Sequence, residues 1–559
     1  MKQFKAIRSI NSENGVALIL ALLAMLMLSL FGLTLLGIGM TEVTIETNWK
    51  DYSEAFYAAE AGLASGLVDL RALLATNPTP TPSELAFAPP SLSNPELSFD
   101  TFQVQQVGPY QGNYQGLLAV TTDYTITAQV SGAGGTSASL TQVVHYMEVP
   151  LFQYGVLYGR GVDLEIAPGP AMTFNGRVHS NSDIYVAAGS SLSFDSFMST
   201  AGNVYRRLKR STAIPYGNNP QIMDDGGTYQ TLNFDHEYQP GFGSTWSESE
   251  WKSAAQSTFG GKVQDSAMGV EEIVPQIPEL FYDPANPDVV AHQLIEMPKG
   301  PDPPELLEAK LYSKADLRII DGIATDAVGN PVALPPGALT TKTFYDKREE
   351  RTMTVTEVDV GLVATSFSGG VLYVARTGAA AGGEGVRLVN GATLPGAGLT
   401  VVSENPVYVQ GDYNTVNQVA AAVLADAITV LSNNWGPNDS DNKGSQATSN
   451  RPATSTTVNA AFALGPSAES QLNQGNGQLE NVIRFLENWS GDTLNYEGSI
   501  IALWHSLQAT GDWRCCGDSG NNYYRPPIRN WSYDTSFNTT QPPGSPVGIV
   551  VAKGRWSRS

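Results

Sequence analysis

At 559 residues the chain is long enough for two or three domains with sizeable cores. Its formal net charge of −22, from 32 Lys and Arg against 54 Asp and Glu, excludes the basic face that a nucleic-acid-binding body needs. Two cysteines, adjacent at Cys515 and Cys516, exclude a disulfide-rich scaffold. A partly buried pair fits them better than a redox or metal role, since a bridge between neighbours closes almost no loop.

The chain opens with a polar leader carrying Lys2, Lys5, Arg8 and one acid, Glu13, and ending at Gly15. Every residue from Val16 to Met40 is then uncharged and mostly apolar. As a helix this run spans about 37 Å, enough to cross a bilayer core and longer than a secretory h-region. The positive-inside rule keeps the leader cytoplasmic and sends the body across the membrane. Ordinary signal-peptidase cleavage near Gly37-Ile38-Gly39 is the competing reading.

The helical pattern continues past Met40. Ile45, Trp49, Tyr52, Phe56, Ala59, Leu63, Leu67, Leu70 and Leu74 recur at spacings of three and four, and Glu46 and Lys50 stand as an i,i+4 pair. With no proline from Val16 to Ala75, the spacing predicts one helix of about 60 residues. Gly32, Gly37 and Gly39 inside the apolar run permit close approach by other helices.

"GVALILALL", then Glu42, Glu46 and Asn48, and "AFYAAEAGL" with Phe56 and Glu60 resemble the amino-terminal region of PilX-type minor pilins. The resemblance covers about 50 residues. It implies that prepilin peptidase cuts between Gly15 and Val16 and that Val16 becomes an N-methylated amino terminus. It implies a structural subunit that packs against other pilins through this helix after waiting in the inner membrane. Where major pilins carry a glutamate, this chain has Leu20, which points to a minor, initiating or tip subunit. The K-type minor pseudopilin of type II secretion shares that departure and is the nearest competing family.

"TNPTPTPSELAFAPPSLSNP", Thr76 to Pro95, reads as a stiff linker or surface loop. Asp123–Val130 and Leu140–Val149 alternate as two strands of a β-hairpin suited to bury the amphipathic half of the helix. From Gly155 the texture becomes short strands and glycine turns, with apolar residues at Leu164, Ile166, Phe174, Val178, Ile184, Val186, Leu192 and Phe194. It returns over about 355–435. Such runs suggest β-solenoid rungs, although no fixed period is visible and a β-sandwich is the other reading.

The expected class is α+β, mostly β. A leader (1–15) and a pilin-like helix (16–75, with 16–40 transmembrane) precede a Pro-rich linker and β-hairpin (76–154). A β-rich, solenoid-like body (155–559) follows. Within the body, 155–195 and 355–435 are solenoid-like, 196–354 is a mixed insertion, and 436–559 is an α/β part with a short helix at Leu479–Trp489.

Little in the sequence speaks for chemistry. The five histidines, His145, His179, His236, His292 and His505, lack metal-ligand spacing, and there is no phosphate loop or nucleophile elbow. "NDSDNKG" offers Asp439 and Asp441 at calcium-loop positions 1 and 3, but Lys443 and Asn450 stand where ligands are required, so an acidic loop is the better reading. "YRRLKR", Tyr205 to Arg210, reads as a solvated turn, and the late aromatics read as core plugs. The expectation is a non-enzymatic subunit with no cofactor and no nucleic-acid partner. The alternatives are a type II secretion pseudopilin and a membrane-anchored solenoid enzyme acting on polysaccharide.

Overall fold

A computed structural model describes residues 13–132, 135–211, 217–238, 247–275, 287–378, 382–436, 444–468, 476–515 and 522–558. One helix, α1 (Glu13–Thr76), runs 64 residues, about 96 Å, without interruption. Three antiparallel strands follow: β1 (Ser98–Tyr114), β2 (Leu117–Ser131) and β3 (Ser137–Pro150). β2 and β3 form the hairpin expected from alternation. β1 was not foreseen, because its polar, glutamine-rich sequence lies on exposed backbone and shows little buried alternation.

A fourth strand comes from far away. Val547–Arg558 returns to pair antiparallel with β3, Pro150 opposite Val547 and Leu140 opposite Arg558. Val274–Pro275 adds a two-residue outer strand at Ile549 and Gly548. Residues 151–546 are thus an insertion between two neighbouring strands of the head sheet.

The lower half of α1 packs on one face of this sheet. Ala55, Ala59, Leu63, Leu67, Leu70 and Leu74 meet Tyr124, Ile126, Ala128, Val130, Leu140 and Val144. Gly62 and Gly66 allow the close approach. A Cβ on Gly62 would lie 2.7 Å from the Phe99 ring, and one on Gly66 would lie 2.9 Å from Ile126 Cγ2. The stripe is buried only from Tyr52 onward. Ile45 and Trp49, which share its spacing, are 52% and 67% exposed because the sheet does not reach them. Lys50 pairs with Glu54, at 3.8 Å, rather than with Glu46.

The opposite face of the sheet, through Leu117, Ala119, Met147, Val149 and Val550, packs on the body at Leu157, Ala422, Leu424, Ala461 and Ile501. The Gln153 amide seals the junction, accepting from the Leu118 N–H and donating to its carbonyl, both at 2.8 Å.

The body is a stack of parallel strands. Its largest sheet has eleven, in the spatial order Val263–Gln264, Met198–Thr200, Val178–Ser180, Val156–Tyr158, Ile500–Ala502, Ala461–Leu464, Ala421–Ala425, Leu399–Ser403, Gly370–Ala375, Leu317–Ile320 and Ile323–Asp326. All neighbours are parallel except the final hairpin. The chain therefore enters in the middle, at Val156, and winds outward to Val263. It then crosses to the far end at Leu317 and winds back until Ile500 lies beside Val156.

In the first half a 20-residue period governs the register. Leu164 pairs with Ile184 and Ile184 with Val204, Met172 pairs with Leu192, and Val178 with Met198. The sequence reading missed this period because only three turns of it exist. The mixed region expected over 196–354 contributes strands to the stack at both of its ends.

The expected helix at Leu479–Trp489 is a correction. Only Leu479–Asn481 is helical, as one 3-10 turn, and Arg484 and Asn488 make parallel bridges to Thr429, Pro452 and Arg525. Leu479, Val482, Ile483, Phe485, Leu486 and Trp489 are all buried, so the run is enclosed on every side and its helical spacing is incidental. At the Val263 end, a helix (Glu248–Phe259) with a Ser247–Glu250 capping box buries Trp251, Ala255 and Phe259 in the core and closes the stack.

Glu480 in that 3-10 turn sits at the meeting of the two halves, accepting from the Ala167 N–H at 3.4 Å. Burial pushes its carboxyl up to about 7; backbone hydrogen bonds and Arg529 oppose the shift, and Glu165 adds to it. A carboxyl raised on folding favours the fold below its ordinary value near 4.5 and loses that contribution as pH rises through about 7. Glu480→Gln is therefore expected to stabilise the protein at pH 8 by about 3 kcal/mol, with the gain vanishing near pH 4; parallel thermal melts at the two pH values check it. Gly62→Leu is expected to cost about 1–3 kcal/mol by forcing α1 off the sheet, read as a lower urea midpoint in detergent.

Candidate functional site: the exposed stem of the helix

Half of α1 has no packing partner among the described residues. Val16, Leu20, Leu28, Phe31, Leu35 and Met40 are each more than half exposed, and Leu20 stands at 62%. The helix is long and apolar enough to cross a membrane, and none of its most apolar window is buried. A Cβ added at Gly15, Gly32, Gly37 or Gly39 would meet nothing within 4 Å, so these positions are open to whatever packs there.

The hydroxyl side chains on the stem are already satisfied. The Ser29 hydroxyl donates to the Leu26 carbonyl, Thr34 to Phe31, Thr41 to Gly37, Thr44 to Met40 and Thr47 to Val43, at 2.7–2.8 Å. An apolar surrounding therefore strands no hydroxyl donor on these residues. Gly15 and Val16 lie in the first turns of α1, with Val16 56% exposed, so the expected processing bond is on the accessible end of the helix. Glu42 and Glu46 follow the apolar run, fully on the surface, and Glu60 is exposed further down.

Where the stem meets the head, aromatic rings form a ladder. Trp49 meets Tyr52 edge-on at 6.5 Å, Tyr52 lies 6.4 Å from Phe56, and Phe56 meets Trp556 of the returning strand at 6.2 Å. The Arg558 guanidinium lies over the Tyr52 ring at 4.7 Å. Trp556 and Arg558 were not anticipated. The available signal was the alternating, basic "VGIVVAKGRWSR" in an otherwise acidic chain.

The remaining candidates are structural or undescribed. Asp439, Asp441 and Cys516 lie outside the described residues. Cys515 is disulfide-bonded. His179 is buried between the Ser199 hydroxyl at 2.9 Å and the Asn181 side-chain oxygen Oδ1 at 3.0 Å, and burial lowers its pKa to about 4. His145, His236, His292 and His505 each face a carboxylate: Asp123, Asp265, Asp426 with Glu296, and Asp288. At His292, burial opposes the charged form, but the hydrogen bonds to Asp426 and Glu296 prevail and raise its pKa.

No group of three or more His, Cys, Asp or Glu among the described residues could hold a metal. The "YRRLKR" run is engaged internally, through Arg206 to Asn219, Arg207 to Glu237 and Lys209 to Asp163. Trp489, Trp504, Tyr523 and Tyr524 are buried, which makes them core rather than a sugar-binding surface.

No curated protein and no solved structure matches the chain. A family model described as PilX N-terminal matches residues 14–64, the stretch that contains the exposed stem, the two glutamates and the start of the buried stripe. Residues 14–64 are therefore similar to the PilX N-terminal domain.

Proposed function

We propose that the protein is a minor subunit of a type IV pilus that carries a large β-solenoid body outward, in a priming, tip or adhesion role. The observation that supports this best is the stem itself: about half of a 64-residue helix, apolar and with its hydroxyls satisfied, has nothing to pack on among the described residues. In the precursor, lipid covers it. After prepilin peptidase removes the leader at Gly15, the helices of other pilins replace the lipid, and the exchange leaves the polar groups as they were. Leu20 favours a minor role, because this position brings no carboxylate to pair with a neighbour's amino terminus. A body joined to the head through two strands is held close beside the stem, which crowds a shaft when repeated and favours low copy number.

Mass spectrometry of the protein from its own membranes tests the reading. The expected amino terminus is an N-methylated Val16. An intact Met1, or a terminus near Met40, would sink it. Gly15→Glu is expected to leave the leader in place, seen as a mass increase over the mature form.

A further inference from the structure

We infer that the body carries a binding site for a small zwitterion, a molecule with a carboxylate at one end and an ammonium at the other, in the cavity that Arg351 and Glu404 line. The inference goes beyond the pilin reading and does not depend on it. The cavity has a volume of about 570 Å³, within the range of about 300–1,000 Å³ usual for small-molecule sites. It lies where successive rungs turn from the eleven-stranded sheet into the sheet that holds Arg351–Asp359 and Gly383–Val389. Arg376 begins one such corner, after Gly370–Ala375, and Glu404 begins the next, after Leu399–Ser403. The loop that carries Gln508 makes a further wall.

Four charged side chains line the cavity, two of each sign. Arg376 and Glu384 neutralise each other through the Arg376 Nε–H. Arg351 and Glu404 form no ion pair with each other among the described residues. Arg351 Nη2 donates to the Gln508 carbonyl at 2.6 Å. Its one carboxylate neighbour among the described residues, Glu349 at 3.9 Å, is already held by Arg484 Nη1 at 2.8 Å and by the Gly511 N–H at 2.9 Å. Glu404 accepts the Met297 N–H at 3.0 Å and makes no ion pair among the described residues. Lys299, the cation within electrostatic reach of Glu404, donates to Glu296 at 2.5 Å. Residues 379–381, between Gly378 and Gly382 in the chain, are alanines and bring no charge. Two opposite charges that line one space without pairing are complementary to a ligand that carries both. A plain anion gains Arg351 but is repelled by Glu404, and a plain amine meets the reverse.

The walls are fixed before a ligand arrives, which lowers the ordering cost of binding. Gln508 Nε2 donates to the Glu404 carbonyl at 2.8 Å, Asn405 Nδ2 to Gln508 Oε1 at 3.2 Å, and Asn405 Oδ1 accepts the Arg376 N–H at 2.8 Å. The loop itself hangs on the buried Asp426 carboxylate. That group accepts the N–H groups of Leu507, Gln508 and Ala509 at 2.6, 3.0 and 2.9 Å and faces His292 Nε2 at 3.2 Å. Small residues leave the charged groups in place. A Cβ at Gly378 would lie 2.8 Å from Glu384 Oε1, and one at Gly383 would lie 2.9 Å from Arg351 Nε.

The test uses the full-length protein in detergent and zwitterions of rising charge separation: glycine, β-alanine, γ-aminobutyrate and ε-aminocaproate. Titration calorimetry reads their binding, with acetate, hexanoate and hexylamine as singly charged controls. One member of the series is expected to bind at least about tenfold more tightly than any control. Arg351→Gln is expected to remove that advantage and leave hexylamine the better ligand. Glu404→Gln is expected to remove it and leave hexanoate the better ligand. An unchanged melting temperature shows that the body has folded; where Arg351→Gln lowers it, Glu404→Gln decides alone, since its carboxylate holds a single N–H. Absence of binding by every zwitterion up to about 10 mM, controls that bind equally well, or an advantage that survives Glu404→Gln would overturn the site.

Discussion

The antiparallel pairing of β3 with Val547–Arg558 sets Pro150 opposite Val547, so residues 151–546 leave the head sheet and re-enter it at one place. The link between stem, head and body depends on that pairing. It gives the head a fourth strand, supplying Ile549 and Val551 to the surface that receives α1. It attaches the body by two chain crossings instead of one, and the Gln153 amide stiffens the join. An appendage on one flexible tether moves independently of its anchor. Here, displacement of the body is transmitted directly into the sheet that grips the stem.

The winding of the body obeys a second constraint of the same kind. The middle rungs come from opposite ends of the insertion, with Ile500 beside Val156 and Leu157 packed among Ala461, Ala463 and Ile501. Neither half of the stack covers its inner edge alone, and a parallel stack with an uncovered edge exposes unpaired backbone. The outer ends are finished separately, by the Trp251-bearing helix at one and by the antiparallel Leu317–Asp326 hairpin at the other. The internal seam is where an ionisable group, Glu480, is held without full compensation.

The sequence showed the stem because a membrane-length apolar run followed by a 3–4 stripe is a strong periodic signal, and no proline breaks it. It showed the β2–β3 hairpin for the same reason at period two. It did not show where the stripe stops being buried, since Ile45 and Trp49 continue the spacing and only the extent of the sheet excludes them. It missed the returning strand as part of the head, because nothing local in "VGIVVAKGRWSR" says that its partner lies some 400 residues earlier. The 20-residue repeat was hidden by its brevity. The Leu479–Trp489 run mimicked a helix because Glu480, Asn481, Arg484 and Glu487 are buried with the apolar residues, so their spacing marks no solvent face. The linear pattern singled out Gly15, Leu20, Glu42 and Glu46, and the structure finds all four exposed on the stem. Trp556 and Arg558 depended on tertiary placement.

The order of strands in the head also bears on synthesis. A chain threaded across a membrane from its amino end delivers α1, β1, β2 and β3 early, with the surface that receives Ile549 and Val551 still bare. The head reaches its final form only after the whole inserted body has followed and Val547–Arg558 has arrived. Completion of the stem's support therefore waits on the whole body, and a chain cut short anywhere in the insertion would present a helix on an unfinished sheet. The fold itself thus distinguishes a finished chain from a partial one.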